Sequence, residues 1–307
     1  MSAAIVAVVN PKSAGGATGR KWPELAGPLS QALGNVEAVF TDAPNAATRL
    51  TRQALQAGAK LLISVGGDGT HNEVANGFFE GDRRLAPEAV MGMIPAGTGG
   101  DFRRSFGWST DAREAIARLA TKRVRRIDVG RLGYVAADGT HSLRHFVNIA
   151  SFGIGGQVDN QVVRAPKLFG GKAAFAIASL RALSGWRDQK VTLSIDGGEP
   201  SELGVTSVSV CNGQYFGGGM WAAPEAKLDD GLFDVVVWQG LGLSDFVLRS
   251  KRLYDGSHVR MPQTTVKQAR SVKADSAETV LLDVDGEQPG RLPATFELLP
   301  LALGIQG

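Results

Sequence analysis

The sequence predicts an α/β domain with a parallel sheet, followed by a mostly antiparallel β domain. Three observations predict it. The 307 residues are about twice the length of a typical domain. Up to about residue 128, apolar runs of strand length alternate with amphipathic stretches of helical length. Beyond it, apolar runs are separated by turns rich in Gly, Asp and Pro. The boundary falls near 128–135, giving domains 1–130 and 131–307, with the last segment able to return to the first domain.

In order, the first domain reads as a strand over 3–9, a helix over 19–33, a strand over 36–40 and a helix over 44–57. A strand over 60–65, a helix over 71–79, a strand over 89–94 and a helix over 110–120 complete it. The second domain reads as strands over 191–195, 205–210, 233–238, 266–274 and 280–284, interrupted by helices over 172–184 and 244–253.

Composition narrows the chemistry. A single cysteine, Cys211, excludes a disulfide scaffold and a multi-cysteine zinc site, and its apolar surroundings read as a buried strand thiol in a reducing compartment. No apolar run approaches the roughly 20 residues of a membrane span, and residues 3–9 read as a first strand rather than a signal peptide. The 40 glycines are aperiodic, which excludes collagen and points to functional turns. The net charge of +3 is uneven: residues 103–126 carry eight basic side chains against Asp111 and Glu114. Residues 249–273 carry seven against Asp255, and 275–287 hold five acids and no base. Such blocks suit anionic partners and a metal site, and equally suit solvated helix faces.

Four turns carry the chemistry. Ser64-Val65-Gly66-Gly67-Asp68-Gly69-Thr70-His71 follows an apolar strand and opens a helix. Glycines there let backbone approach a phosphate, and the helix start offers free N–H groups. Asp68 beside phosphates implies an intervening Mg²⁺; alternatively the segment is a tight left-handed turn with a capping Asp. Ile94-Pro95-Ala96-Gly97-Thr98-Gly99-Gly100-Asp101 repeats the pattern one strand later. Asn10-Pro11-Lys12-Ser13-Ala14-Gly15-Gly16 after the first strand adds a lysine, without P-loop spacing. Near the end, Asp285 and Glu287 flank Gly286, either as an acid pair facing a phosphate pocket or as an ordinary hairpin turn.

These residues resemble the diacylglycerol kinase catalytic family, which includes sphingosine, ceramide and bacterial lipid kinases. A further block, Asn212-Gly213-Gln214-Tyr215-Phe216-Gly217-Gly218-Gly219-Met220 followed by 224–231, strengthens the likeness, which spans nearly the whole chain. The Gly66-to-Thr70 motif alone is shared with NAD kinases and, more loosely, with phosphofructokinases. The resemblance implies a Rossmann-like α/β domain and a C-terminal β-sandwich, with ATP bound in a cleft between them. It implies nucleotide contacts from Asn10, Pro11, Lys12, Ser13, Ala14, Thr41, Gly66, Gly67, Asp68, Gly69, Thr70, His71, Asn72, Glu73, Gly97 and Thr98. Asp285 would be the general base toward a lipid hydroxyl, with Glu287 beside it. Asp68, Asp101, Asp128 and Glu287 would hold catalytic Mg²⁺ partly through water. A structural Mg²⁺ would sit on Asp230 and the carbonyls of Lys227 and Leu232. His71 would cap or line the phosphate helix. One departure stands out: the family commonly carries Asn where this chain has Gly100.

The expected partners are a lipid substrate and an anionic membrane surface visited transiently from the cytoplasm; a homodimer stays open, and no nucleic acid is expected. Phe169, Lys172 and Trp186, with Arg164, Arg181 and Arg187, are candidates for the membrane side. The competing readings are an NAD kinase and a non-catalytic regulator that binds nucleotide or anionic membrane.

Overall fold

The computed structural model describes residues 4–97, 100–156, 186–242, 245 and 249–307. The chain divides into two compact units. One is Met1–Val129 with Pro300–Gly307, and the other is Gly130–Leu299.

The first unit follows the predicted alternation: β1 (Ile5–Val9), α1 (Ala17–Leu33), β2 (Val36–Phe40), α2 (Ala46–Gln56), β3 (Leu61–Gly66) and α3 (Asp68–Gly77). A short ribbon, β4 (Phe79–Glu80) with β5 (Arg83–Arg84), precedes β6 (Val90–Pro95), α4 (Asp101–Arg104) and α5 (Ala112–Ala120). Strands β2, β1, β3 and β6 lie side by side, all parallel. Residues 304–306 extend this sheet as a further parallel strand against Val90, Met91 and Gly92. β3 is buried along its whole length, which is why it reads as an uninterrupted apolar run rather than an alternating one. Helices α1 and α5 close one core over the sheet with Trp22, Leu29, Ile116 and Leu119. Asp111 caps α5 by accepting from the N–H groups of Arg113 (2.7 Å) and Glu114 (3.2 Å).

In the second unit, β7 (Val124–Ala136) enters and pairs with β8 (His141–Phe146). It also contains β9 (Ile149–Gly153), β10 (Gln189–Ile195), β11 (Ser201–Val205), β12 (Ser207–Cys211) and the ribbon β13 (Tyr215–Phe216) with β14 (Met220–Trp221). β15 (Phe233–Trp238), β16 (Thr264–Ala269), β17 (Ser271–Asp275), β18 (Leu282–Val284) and β19 (Gly290–Gln306) follow. One antiparallel sheet runs β16-β15-β12-β9-β18, and the facing one runs β11-β10-β17-β19. Both inner faces meet in one core that includes Phe146, Phe152, Val208, Phe233, Val272 and Phe296. Cys211 is buried in β12, as its apolar flanks implied.

Two predicted strands are corrected. The runs 205–210 and 266–274 each look like one strand, but each is two strands in different sheets. The first breaks at Thr206, whose N–H donates to Trp238 O (2.8 Å), between β11 and β12. The second breaks at Arg270, between β16 and β17. There Asp196 Oδ1 accepts from the N–H groups of Arg270 and Ser271, both at 2.8 Å. The predicted helix over 172–184 lies outside the described residues. Of the one over 244–253, the described part includes the short helix Lys251–Tyr254.

Gly130 sits where any side chain would collide with the core. A Cβ there would stand 2.1 Å from the Phe146 ring, which is stacked on Phe233 and edge-on to Phe296. Gly130→Ala is expected to lower stability by roughly 1–3 kcal/mol, measured by urea unfolding. An unchanged midpoint would mean the aromatic stack yields freely.

Candidate active site

In the first unit, three loops at the carboxyl ends of β1, β3 and β6 interlock. Asn10 Nδ2 donates to Thr70 Oγ1 (3.0 Å), tying the first loop to the start of α3. Thr18 Oγ1 donates to Ala96 O (2.8 Å) and lies 2.5 Å from Ser13 Oγ, tying the first loop to the third. Where Gly67 of the second loop meets Gly97 of the third, there is no room for a side chain: a Cβ on Gly97 would lie 2.5 Å from the Gly67 Cα. A Cβ on Gly66 would lie 2.5 Å from Thr70 Oγ1. Gly66, Gly67 and Gly97 are therefore set by close approach. None has positive φ, so the segment is not the left-handed turn that its composition also suited. The left-handed run falls instead in the first loop, at Ala14, Gly15 and Gly16. The N-cap of α3, Gly67, supplies no side-chain acceptor to the N–H groups of the first turn.

Asp68 is the bracket that holds the third loop. Its Oδ2 accepts from the N–H groups of Gly100 (2.8 Å) and Asp101 (3.0 Å), and its Oδ1 from Phe102 (3.2 Å). Gly100 has φ +70. That conformation favours Gly first and Asn next, which gives a backbone reason for the departure from the family residue at this position. Asp101 is buried and pairs with Arg104 Nε at 3.4 Å. Asp128 is fully buried, and its Oδ1 accepts from Leu301 N–H (2.7 Å), fixing the φ of +49 at Leu301.

The remaining predicted contacts separate into two groups. Lys12 is exposed, and its Nζ lies 3.4 Å from Asp42 O; Thr41 stands at the end of β2, its N–H donating to Val9 O (2.9 Å). Pro11 O accepts from Gly19 N–H, seating the first loop on α1. Other residues serve the frame. Glu73 accepts from Asn45 N–H (3.1 Å) and Ala47 N–H (3.0 Å), closing the start of α2. Asn72 is buried and accepts from Asn76 Nδ2. His71 is buried with Nδ1 2.8 Å from Ser64 Oγ. Gly69 lies in the first turn of α3. Thr98 lies outside the described residues, as do Arg164, Phe169, Lys172 and Arg181.

In the second unit, Asp285 and Gly286 are the central residues of a two-residue hairpin closed by Val284 and Glu287. Both have positive φ, +50 and +84, the requirement of a type I′ turn for which Asp-Gly is a preferred pair. The Asp285 carboxylate accepts three backbone N–H bonds, from Val147 (3.0 Å), Asn148 (3.2 Å) and Ile149 (2.8 Å). The Asn212-Gly213 motif supports that gripping segment from behind. Asn212 Nδ2 donates to Val147 O, and the N–H groups of Asn212 and Gly213 donate to Asn148 O. Glu287 Oε2 is paired with Arg144 Nη2 at 2.6 Å. Asp230 Oδ1 accepts from Leu232 N–H (3.1 Å) in the loop that includes Lys227.

Sequence reasoning missed Asp234. It is buried in β15, and its Oδ2 has no hydrogen-bond partner. Burial first, and then the charges of Asp230 and Glu225, push its carboxyl up to about 6. A lone acid inside the apolar run Phe233-Asp234-Val235-Val236-Val237 was the available signal.

His71 is held down at about 4 against an ordinary 6.5, because burial penalises the imidazolium more than nearby Asp68 favours it. The unfolded chain takes up a proton near pH 6.5 that the folded chain refuses until about pH 4. Stability should therefore fall by roughly 3 kcal/mol as the pH drops across that interval. Urea titrations at several pH values check this: His71→Gln should flatten the slope, and an identical slope would remove His71 as its source.

Among the described residues no three His, Cys, Asp or Glu side chains gather at metal-binding distance, and no helix is long and apolar enough to cross a membrane. The family model of the diacylglycerol kinase catalytic domain matches residues 4–132. That of the YegS C-terminal NAD kinase beta sandwich-like domain matches 148–307. A diacylglycerol kinase of Staphylococcus carnosus is 30% identical over 290 residues, covering 94% of this chain and 90% of that protein. A solved Bacillus anthracis structure ascribed to the diacylglycerol kinases is 26% identical, with a TM-score of 0.77 over 98% of this chain and 96% of that one. Yeast NADH kinase, at 13% identity and a TM-score of 0.51, covers 98% of this chain and 81% of its own and shares the fold alone. With both halves matched and a relative aligned along nearly its full length, the chain belongs to the diacylglycerol kinase family.

Proposed function

We infer that this chain is a lipid kinase that transfers the γ-phosphoryl group of ATP to a lipid hydroxyl, as the names of its relatives suggest. The observation that carries the reading is the contact of Gly67 with Gly97, with no room for a side chain, between the turns after the adjacent parallel strands β3 and β6. They leave backbone N–H groups and the start of α3 as the surface a polyphosphate would meet. The first unit is assigned to the nucleotide, and Asp285 in the second to the acceptor. In the transfer, the acceptor oxygen bonds to the γ-phosphorus as the bond to the β–γ bridging oxygen breaks. The hydroxyl proton passes to the Asp285 carboxylate, and ADP leaves. Three backbone donors aim that carboxylate without a flexible side chain between it and the frame.

Mg²⁺ suits the acids of the first unit through water. The oxygens of Asp68 and Asp128 already accept backbone bonds, and a carboxylate oxygen with one such bond can still accept from metal-bound water. The cation would neutralise phosphate charge. Asp68, Asp101 and Asp128 are the residues assigned to it. For the structural cation, the fit is the orphaned Oδ2 of Asp234 close to the charges of Asp230 and Glu225. A divalent cation on Asp230 and the carbonyls of Lys227 and Leu232 would relieve that repulsion.

Incubation with labelled ATP and a panel of diacylglycerol, ceramide, sphingosine and phosphatidylglycerol should label at least one lipid. Formation of NADP from NAD, with no labelled lipid, would overturn the reading. Asp285→Asn tolerates positive φ and keeps one of the two accepting oxygens, and it should lower turnover by about 10²–10⁴-fold while nucleotide binding by the first unit persists. Separately, Mg²⁺ should raise the melting temperature of the wild type, and Asp234→Asn should abolish or shrink that rise. An equal rise in both would detach Asp234 from the cation.

A further inference from the structure

We propose that a second anion site, built for a phosphate monoester group, lies in the second unit between the short helix Lys251–Tyr254 and the turn Ser257–Arg260. A cavity of about 440 Å³ is lined there by Arg249, Lys251, Arg252, Asp255, Ser257 and Arg260. Four cations thus face one carboxylate. No residue of the glycine turns or of the Asp285 hairpin lines it.

The lone acid is engaged in the frame. Asp255 Oδ1 accepts from Ser257 N–H at 2.9 Å, closing the turn that carries Arg260. Arg249 pairs with Asp245 at 3.0 Å. Among the described residues Lys251, Arg252 and Arg260 form no ion pair. Asp255 offsets part of the charge of Lys251 and Arg252, and four cations against one carboxylate leave the concavity positive, which a dianion would neutralise. A phosphate monoester also offers several oxygens to the forked donors of Arg252 and Arg260.

The cradle is fixed from below. His258 is buried, with Nε2 3.0 Å from Ala222 O and Nδ1 3.3 Å from Arg252 O, so a neutral ring donates to one of the two and ties the turn to the body of the unit or to the short helix. Gly256, at φ +75, presses on Pro224: a Cβ there would lie 2.9 Å from Pro224 Cγ. The cations are thus carried on a braced corner. Tyr254, 55% exposed on the same short helix, gives this corner an aromatic side chain beside its charges.

The phosphate group has two sources, a phospholipid headgroup in a bilayer and a soluble phosphate, and two probes separate them. Inorganic phosphate is titrated into the full chain by calorimetry. Flotation is measured with phosphatidylcholine vesicles, with and without phosphatidic acid. Binding to phosphate assigns a soluble ligand, and binding only to phosphatidic acid vesicles assigns a headgroup. In either case Lys251→Gln with Arg260→Gln should weaken binding about 25-fold, at roughly fivefold per cation. Lys251→Gln alone, on an exposed side chain, should give a single fivefold step if the double variant fails to fold. Lys267→Gln with Lys273→Gln removes the same charge elsewhere in the unit and should leave binding unchanged. Binding to neither probe, wild-type affinity in the Lys251 variants, or an equal loss in the Lys267 and Lys273 variant would overturn the proposal.

Discussion

The first unit depends on the contact between Gly67 and Gly97. Strands β3 and β6 are neighbours, and their outgoing turns meet with no room for even a methyl group between them. Any Cβ at Gly97 would push the two turns apart and shift the start of α3 away from α4. The bond from Thr18 to Ala96 and the grip of Asp68 on residues 100–102 both assume that spacing. A packed side chain would add apolar contact here, but it would also cover the N–H groups that an anion needs. The glycines trade contact for access.

A second theme is the carboxylate as a clamp on backbone amides. Asp68, Asp128, Glu73 and Asp285 each accept N–H groups from a segment distant in sequence. Such bonds satisfy donors that no sheet or helix reaches and fix loops without apolar burial. They also keep each acid in one orientation, which a reacting or water-holding carboxylate requires. Removing one of these acids therefore loosens a loop as well as removing a charge. Replacement by the amide keeps the shape but turns one accepting oxygen into a donor, so at Asp68, Glu73 and Asp285, where both oxygens accept N–H groups, it also loosens the clamp.

Much of this was legible in the sequence, for identifiable reasons. The alternation that located β1, β2, β3 and β6 survives because parallel strands buried on both faces become apolar runs, and the covering helices keep their stripes. The turns were legible because glycine and aspartate have few alternative uses at such spacing. What stayed hidden was long-range. Nothing local says that Asp68 closes on Gly100, or that the Asn212 motif supports Asp285 through residues 147 and 148. Strand β7 begins Val124-Arg125-Arg126, three exposed residues that look like part of a basic block. Asp234 escaped because a strand pattern records one polar residue as noise, whereas burial makes it the least comfortable charge in its sheet. The breaks at Thr206 and Arg270 were invisible because both layers of a sandwich ask for the same apolar alternation. A chain stepping from one layer to the other keeps its pattern unbroken.

Those two steps have a mechanical consequence. At Thr206 and again at Arg270, a single residue carries the chain from one layer of the second unit to the other. The layers are thereby stitched at two points by covalent bonds too short to stretch. Neither layer can slide along the other by a residue without turning the inward side chains of an attached strand outward. The unit therefore resists shear through chain connectivity as well as through packing. An added residue at either stitch would be absorbed as a change of register through a whole strand, whereas the same insertion in an exposed hairpin would only lengthen a loop.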